Sequence, residues 1–337
     1  MRHPREVLLG AQAATGFLPV CDHYSGVEAR MRKSLQLQAD MIEEFGTCIF
    51  DVTLDCEDGA PVGGEAEHAA MVVALATLAS DKARVAVRVH AVDHPAFESD
   101  MAVIAGKLAR MLSHITVPKV ESVEDVIKAE QMLLAASADD LPLHVLIESP
   151  AAVHRAFEIA AHPRVQSLSF GLMDFVSAHG GAIPADGMSS RGQFTHPLVL
   201  RAKLEIASAC HAYGKVPSHC VVTEFNDTEA ITMAARHARE MGYSRMWSIH
   251  PNQIRPILEA FAPTEREIDD AAKIIAIAAR ADWAPIGFEG KLHDRASYRY
   301  FWQVLERAHQ TGRALPAEAQ TYFQPLFTEL QHTTRAV

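Results

Sequence analysis

The sequence predicts an α/β fold, a (β/α)₈ TIM barrel with a C-terminal helical extension. Short apolar runs that suit buried strands alternate with segments of helical periodicity along most of the chain. Eight strand candidates can be counted, and polar residues collect where these strands end. No G-x-G-x-x-G follows the first strand and no G-x-x-x-x-G-K-[ST] occurs, so the pattern favours a barrel over an open nucleotide-binding sheet.

The elements follow one another in regular order. The predicted strands cover residues 17–20, 48–55, 84–90, 114–120, 143–147, 165–171, 215–222 and 245–251. The predicted helices between them include 27–45, 65–79, 99–112, 195–213 and 228–241. Ser122 with Asp125 resembles a capping box, and Ser149 followed by Pro150 is typical of a helix start.

The C-terminal part exceeds what eight β/α units need. We therefore divide the chain into a catalytic barrel, 1–262, and a helical extension, 263–337, that begins with a strongly periodic helix at 263–281. The last helix carries apolar side chains at helical spacing: Tyr298, Phe301, Trp302 and Leu305. Because a barrel has no core left for them, they predict an exposed aromatic patch, and the extension is interpreted as an oligomer arm or cap.

Composition limits the classes of function. The net charge of −11 and the lack of a Lys/Arg-rich block argue against nucleic acid. The longest apolar run, at 69–79, is too short to span a bilayer, and no signal-peptide core is recognisable. Five scattered cysteines without a C-x-x-C pair fit a reducing compartment. These features predict a cytoplasmic protein.

Two acids follow two consecutive predicted strands. Glu148 and Asp174 lie 26 positions apart, separated by one helix. In a parallel strand–helix–strand unit both carboxylates would reach the same edge of the sheet. Hard oxygen ligands at such an edge suit Mg²⁺. The alternative is that Glu148 caps a helix and Asp174 closes a turn.

Other polar residues also fall at predicted strand ends, which is the face where barrel enzymes place their chemistry. They are Glu57, Asp58, Arg88, Lys119 and His250.

Seven segments occur in an order that resembles a known enzyme family. They are DVTLDCEDGA, RVAVRVH, VPKVES, LIESPAAV, SFGLMDF, SIHPNQI and FAPTEREIDDAAKI, and they span roughly residues 48–300. The chain resembles the citrate lyase β-subunit-like and malyl-CoA lyase branch of the HpcH/HpaI aldolase family. The resemblance implies a TIM barrel, Mg²⁺, carbon–carbon bond chemistry beside a carbonyl, and a homo-oligomer, either a trimer or a hexamer.

The resemblance also implies roles for single residues. Glu148 and Asp174 match the metal ligands, and Arg88 matches an arginine that holds the substrate carboxylate or keto oxygen. Glu57 and Asp58 match an acidic pair that holds metal-bound waters or positions Arg88. For Arg88 the structural alternative is an ion pair with Glu57 or Asp58.

Three further positions have two interpretations each or a role outside the chemistry. Asp294 resembles an aspartate that reaches a neighbouring subunit's site and transfers a proton, although a surface residue before a helix is an equal alternative. Lys119 could face the barrel mouth or form a structural ion pair, and it leaves a Schiff-base route open. His250 is expected to shape the eighth loop.

The chain departs from the family pattern in places. Cys56 and Gly59 stand where the family usually has Leu and Ala, and His219 stands where an aspartate is usual. The segment CDHYSGVEARMRKSLQLQ replaces the usual N-terminal P-G-x-x-P approach. The metal pair and Arg88 are unaffected by these differences, but the match does not extend to the acyl-binding side of the pocket, so a CoA thioester substrate is left open.

The combined prediction is a Mg²⁺-dependent lyase or aldolase that acts on a small hydroxy-acid, or its CoA thioester, through an enolate. One alternative is a malyl-CoA-type thioester hydrolase or a phosphoenolpyruvate/pyruvate-type enzyme on the same barrel. Another alternative is a non-catalytic barrel subunit. Glu148, Asp174 and Arg88 together argue against the last, because a scaffold has no physical need for them.

Overall fold

The computed structural model describes residues 3–10 and 18–323. These residues belong to two compact units, Pro19–Ala260 and a second unit that combines residues up to Leu18 with residues from Phe261 onwards. The division into a barrel at 1–262 and an extension at 263–337 that serves as an oligomer arm or cap stays a prediction. No helix in the described ranges is long and apolar enough to cross a membrane.

Eight parallel strands close into a barrel in the first unit, in sequence order. The barrel closes between the first and last strands, where Cys21 pairs with Met246. The predicted α/β class and the TIM barrel are confirmed. The strands are β1 (Cys21–Ser25), β2 (Phe50–Asp55), β3 (Val85–Arg88), β4 (Leu112–Val117), β5 (Leu143–Ile147), β6 (Val165–Phe170), β7 (Val216–His219) and β8 (Arg245–Ser248).

The helices of this unit follow the strands. Ser122 with Asp125 forms the predicted capping box, and Ser149 caps its helix by accepting a hydrogen bond from Ala152 N at 3.0 Å. The helices are α2 (Glu28–Phe45), α3 (Glu65–Thr77), α4 (Phe97–Leu108), α5 (Val123–Ala135), α6 (Pro150–His154), α7 (Ala156–Ala161), α8 (Leu172–Ser177), α9 (Pro197–Ala212), α10 (Thr228–Glu240) and α11 (Pro251–Phe261). Two short 3₁₀ helices, Ala185–Met188 and Gly192–Phe194, precede α9.

The predicted position of the first strand is wrong. The strand lies at Cys21–Ser25, whereas residues 18–20 are not in a strand and residue 17 lies outside the described ranges. The reason is that β1 places Asp22 and Tyr24 on the barrel's inner side, where other strands supply polar partners. A strand with a polar inner face shows no apolar run.

The second unit has a core of its own. Helix α1 (Pro4–Leu9) joins α12 (Glu265–Arg280), α13 (Arg295–Gln310) and α14 (Ala317–Gln320), with a hairpin of β9 (Ile286–Phe288) and β10 (Lys291–His293). Leu8 packs in the same apolar cluster as Tyr298 and Trp302. A buried ion pair, Arg5 to Glu306 at 2.9 Å, also ties α1 to α13.

This core corrects the predicted exposed aromatic patch. Tyr298, Trp302 and Leu305 are fully buried, and Phe301 is half-buried against the same cluster. The prediction failed because it assumed that no partner existed for these side chains. Helices α12 and α1, which lie far apart in the sequence, provide that partner.

Candidate active site

Arg88 ends β3 and is held by Asp55 at the end of β2. The guanidinium donates two hydrogen bonds to this carboxylate, from Nε at 2.7 Å and from Nη2 at 2.6 Å. Its Nη1 atom lies 3.0 Å from Glu57 Oε2. Burial works against the charge of Arg88, but the contact with Asp55 overrides it and raises the pKa of the guanidinium. Arg88 therefore stays charged, with its orientation set from one side.

Asp55 was missed by the sequence reasoning. Besides Arg88, its carboxylate accepts hydrogen bonds from the backbone N–H groups of Glu57 at 3.0 Å and Gly59 at 2.8 Å. The available signal was register, because the last residues of β2 and β3 are Cα partners. An acid and an arginine at paired strand ends on the inner side predict a bidentate contact.

Gly59 and Gly26 allow the loop after β2 to close over Asp55. A Cβ on Gly59 would lie 2.2 Å from Asp55 Oδ2, and a Cβ on Gly26 would lie 1.9 Å from the Gly59 carbonyl oxygen. Neither contact is possible for a real side chain. The glycine that departs from the family pattern therefore has a local steric reason.

Lys119 connects the acidic loop after β2 with the end of β5. Its Nζ donates hydrogen bonds to Glu57 and, at 3.2 Å, to Asp58, while its backbone N–H donates to Glu148 Oε2 at 2.9 Å. The backbone is left-handed, with φ 51°, which is uncommon for a residue other than glycine. Burial opposes the ammonium charge, but Glu57 and Asp58 raise the pKa of Lys119. A charged, doubly paired amine is a poor Schiff-base nucleophile.

Glu148 follows β5 and Asp174 lies in the first turn of α8, after β6. Burial first, and then the negative charge of Asp174, raise the pKa of Glu148 to about 8. Asp174 has no ion-pair partner within 3–10 and 18–323. Gly171 makes room for Glu148, since a Cβ there would lie 2.3 Å from Oε1. Two neighbouring carboxylates that lack a cation fit Mg²⁺ as a ligand pair.

Together these side chains form what we call the mouth cluster, at the carboxyl ends of β2 to β6. Five acids face two cations within it, so the cluster carries excess negative charge. Its members are Asp55, Glu57, Asp58, Arg88, Lys119, Glu148 and Asp174.

Three other residues singled out in the sequence have contacts of their own. His250 stacks on Phe225 at 4.8 Å, in the loop after β8. His219 is buried against Phe194, with which it stacks at 5.3 Å. Asp294 belongs to the second unit, where it caps α13 by accepting hydrogen bonds from the backbone of Ala296 and Ser297.

A second polar group, the floor cluster, occupies the amino-terminal half of the barrel. Asp22 accepts a hydrogen bond from Thr53 at 2.7 Å, and the rings of His114 and His144 stack at 3.5 Å. The ligand atoms of Asp22, His114 and His144 all lie within 4.8 Å of one another, the one grouping of three such residues in the described parts of the chain. We define the floor cluster as Asp22, Asp51, Arg84, His114, His144 and Arg245.

Charge argues against a metal in the floor cluster. Arg245 Nη2 lies 2.8 Å from Asp22 Oδ2 and 2.6 Å from Asp51 Oδ2, and Arg84 Nε lies 2.6 Å from Asp51 Oδ1. The two acids are thus already matched by two arginines. A divalent cation would add buried charge that nothing offsets.

The matching family model covers residues 34–251, which include the whole mouth cluster and every member of the floor cluster except Asp22, and is described as HpcH/HpaI aldolase/citrate lyase. The chain belongs to this family. Its HpcH/HpaI barrel is therefore that of a carbon–carbon lyase, as the sequence predicted.

Curated relatives agree with the family assignment. A citrate lyase subunit beta-like protein of Deinococcus radiodurans is 33% identical over 268 residues, which are 76% of this chain and 89% of the relative. An L-malyl-CoA/beta-methylmalyl-CoA lyase of Cereibacter sphaeroides is 28% identical over 277 residues, 76% of this chain and 86% of that protein.

Solved structures show the same fold. A citrate lyase from Burkholderia xenovorans is 48% identical, with a TM-score of 0.78, and the match covers 96% of this chain and 99% of that one. The CitE protein from Mycobacterium tuberculosis, solved in complex with magnesium, acetoacetate and coenzyme A, is 22% identical, with a TM-score of 0.63 over 86% of this chain and 98% of that one. At that identity the likeness concerns the fold alone.

Proposed function

We propose that this protein is a Mg²⁺-dependent lyase that cleaves a carbon–carbon bond in a small hydroxy-acid or its CoA thioester. The observation that carries the proposal is the pair Glu148 and Asp174, two adjacent carboxylates without a matching cation, beside a buried and oriented Arg88. The two acids would hold the metal. When bound, Mg²⁺ would act as a Lewis acid and stabilise the negative charge of the enolate formed on cleavage.

The chain's own residues would bind and orient the substrate. Asp55 occupies the Nε/Nη2 edge of Arg88, and Glu57 occupies part of Nη1. The remaining N–H groups of Nη1 and Nη2 can still bind a substrate carboxylate. Asp55 is thus a positioning residue, and Arg88 binds the substrate from an orientation that is set before the substrate arrives.

The acidic loop after β2 is held in place by two cations. Glu57 contacts both Arg88 and Lys119, and Asp58 contacts Lys119. Glu57 and Asp58 would accept hydrogen bonds from water molecules around the metal, as the resemblance implies. Lys119 limits the repulsion between these acids and Glu148.

Two parts of the proposal concern more than one chain. We propose that Asp294 transfers a proton in a neighbouring subunit's site, within a homo-oligomer of three or six chains. On its own chain Asp294 is a helix cap. A cytoplasmic location also stays a prediction.

Product analysis tests the reaction class. The protein is incubated with Mg²⁺ and L-malyl-CoA as the probe. Carbon–carbon cleavage yields glyoxylate and acetyl-CoA, whereas thioester hydrolysis yields malate and free CoA. Free CoA with malate would favour the hydrolase instead. If the protein turned over neither malyl-CoA nor citrate nor their close analogues, the proposal would be overturned.

The Glu148→Gln variant tests the metal pair. It keeps the shape of the side chain and removes a ligand charge, so we expect kcat/KM to fall about 1,000-fold and Mg²⁺ binding in calorimetry to be lost. The matched control is Glu28→Gln, which changes an exposed acid on α2 that forms an ion pair with Arg32. The control should change neither quantity.

A further inference from the structure

Tyr24 stands at the carboxyl-terminal end of β1, on the inner side of the barrel. Its ring lies under the guanidinium of Arg88, with Arg88 Cζ 5.0 Å from the ring centroid. On another side the ring meets Trp247 edge to face, with centroids 4.4 Å apart. Trp247 is itself fixed by a 2.8 Å hydrogen bond from Nε1 to Ser169 Oγ. The Tyr24 ring is therefore held between two ordered groups at the mouth cluster.

The hydroxyl of Tyr24 is unused by the fold. It makes no hydrogen bond to any residue in the described ranges, and it is not among the fully enclosed polar atoms. The side chain as a whole is only half-buried. A phenol that is firmly held at its ring but unbonded at its oxygen can donate to a ligand in the mouth of the barrel.

The surroundings keep this hydroxyl protonated. Burial first, and then the negative charges of Asp55 and Glu148, raise the pKa of Tyr24, although Arg88 opposes the shift. The group therefore serves as a hydrogen-bond donor rather than as a base or a nucleophile.

A neutral donor has a specific use in this place. The mouth cluster carries excess negative charge, and both of its cations are already paired with acids. When more negative charge develops on a substrate oxygen, an additional donor without a carboxylate partner stabilises that charge more effectively than a donor that is already bonded.

We propose that Tyr24 is a catalytic residue whose hydroxyl donates a hydrogen bond to the substrate oxygen on which negative charge develops during carbon–carbon cleavage. The inference rests on the proposed lyase function. It concerns a residue in the N-terminal segment that departs from the family pattern, so it also bears on which substrates this chain accepts.

The Tyr24→Phe variant separates the hydroxyl from the ring. Phenylalanine keeps the packing on Arg88 and Trp247, and only the donor is lost. We expect kcat to fall about 100-fold, as for removal of one oxyanion donor, while KM changes less than about twofold because the interaction strengthens only in the transition state. Mg²⁺ affinity and thermal stability should stay unchanged.

The matched control is Tyr243→Phe. Tyr243 is buried in the same unit, and its hydroxyl donates to the Lys203 carbonyl oxygen at 2.9 Å. Its loss removes a structural hydrogen bond, so the control should lower the midpoint of thermal unfolding and leave kcat within about twofold of wild type.

A binding experiment gives a readout that needs no turnover. Oxalate, a planar dianion that mimics an enolate of a keto acid, is titrated into the Mg²⁺-loaded wild type and Tyr24→Phe variant by calorimetry. We expect oxalate to bind about tenfold more weakly to the variant, a loss of about 1.4 kcal/mol. The affinity for pyruvate, which lacks the enolate charge, should differ less than about threefold between wild type and variant.

The outcomes distinguish this inference from the function on which it rests. If the wild type cleaves the probe but Tyr24→Phe keeps wild-type kcat and oxalate affinity, the role of Tyr24 is overturned and the lyase stands. If KM rises with kcat unchanged, Tyr24 only binds the ground state, which also contradicts the inference. If the wild type neither cleaved the probe nor bound oxalate, both the lyase function and the role of Tyr24 would be overturned.

Discussion

The mouth cluster and the floor cluster both pair buried acids with arginines, but they differ in how completely the charges are matched. At the floor, Arg245 and Arg84 match Asp22 and Asp51, and every member lies in or beside the barrel's amino-terminal half. At the mouth, Arg88 binds Asp55 as tightly, but Glu148 and Asp174 have no cation of their own. The acids of the floor cluster are matched by arginines, whereas the mouth cluster has more acids than cationic side chains.

This difference shows which feature of a buried polar group indicates function. The floor cluster has two histidines and an aspartate whose ligand atoms are close enough to hold a metal ion, yet its charges are matched. The mouth cluster has no such set of three among the described residues, but it has excess negative charge. Beside it lies the Tyr24 hydroxyl, which bonds to none of the described residues. Unmatched charge with access to a ligand is the better indicator, because ionised groups without partners are costly to bury.

The largest expected effect is on the floor. Arg245→Met removes one partner of a buried ion network and leaves Asp22 and Asp51 short of a cation. We expect the free energy of unfolding to fall by about 3–5 kcal/mol in urea titrations. The control, Arg255→Met, breaks an exposed pair with Glu44 and should cost less than about 1 kcal/mol. A small loss of unfolding free energy for Arg245→Met would mean that Asp22 and Asp51 do not depend on Arg245 for a matching charge.

At the mouth, Arg88→Lys should damage activity more than stability. An ammonium cannot bind both oxygens of Asp55 and also present an oriented pair of donors to a substrate carboxylate. We expect kcat/KM to fall about 100-fold in the lyase assay. Unchanged turnover and substrate affinity would instead assign Arg88 to a structural ion pair with Asp55 and Glu57.

A fall in pH should lower the stability of the fold through His144 in the floor cluster. Burial first, and then the neighbouring His114, hold the pKa of His144 well below its ordinary value of 6.5. The folded state therefore keeps the ring neutral while the unfolded chain takes up a proton, so stability is lost as the pH falls below 6.5. From about pH 7 to about pH 5 this costs about 2 kcal/mol for one histidine.

The measurement compares urea titrations of wild type and His144→Gln at both pH values. The variant should lose about 2 kcal/mol less than wild type on acidification. The control is His154→Gln, which changes an exposed histidine. It should lose as much stability as wild type when the pH is lowered. Equal acid sensitivity of all three proteins would show that His144 is protonated in the fold.

The smallest expected effect on stability concerns Asp294, and it tests whether the mouth needs an acid from another chain. Asp294→Ala removes the cap of α13 and should cost about 1 kcal/mol. Asp294→Asn keeps a good cap and removes only the acid. If Asp294 transfers a proton in a neighbouring site, Asp294→Asn should lose activity without losing stability.

Mixing then separates the two arrangements. Inactive Asp294→Asn and inactive Glu148→Gln chains are allowed to exchange subunits. Sites shared between chains should regain part of the activity, whereas no recovery in verified mixed oligomers would reject the in-trans role. Asp227→Ala, which removes the cap of α10, controls for the loss of a cap alone.

Much of the barrel was predictable from local signals. The apolar runs of β5 and β6, the cap at Ser149 and the capping box at Ser122 depend on residues close together in the chain, and all are present. The same runs allowed Glu148 and Asp174 to be placed at neighbouring strand ends, although their role as metal ligands stays a prediction.

What the sequence alone determined is thus the order of the strands, the fold and the residues that reach the strand ends, because periodicity and capping are local. Only the tertiary structure decided which charges are matched. The partners of Asp22, Arg88 and Tyr298 come from distant parts of the chain. Asp55, Tyr24 and the true position of β1 were missed for the same reason. Their side chains make sense only once a closed barrel brings polar groups from several strands together in a space with little water.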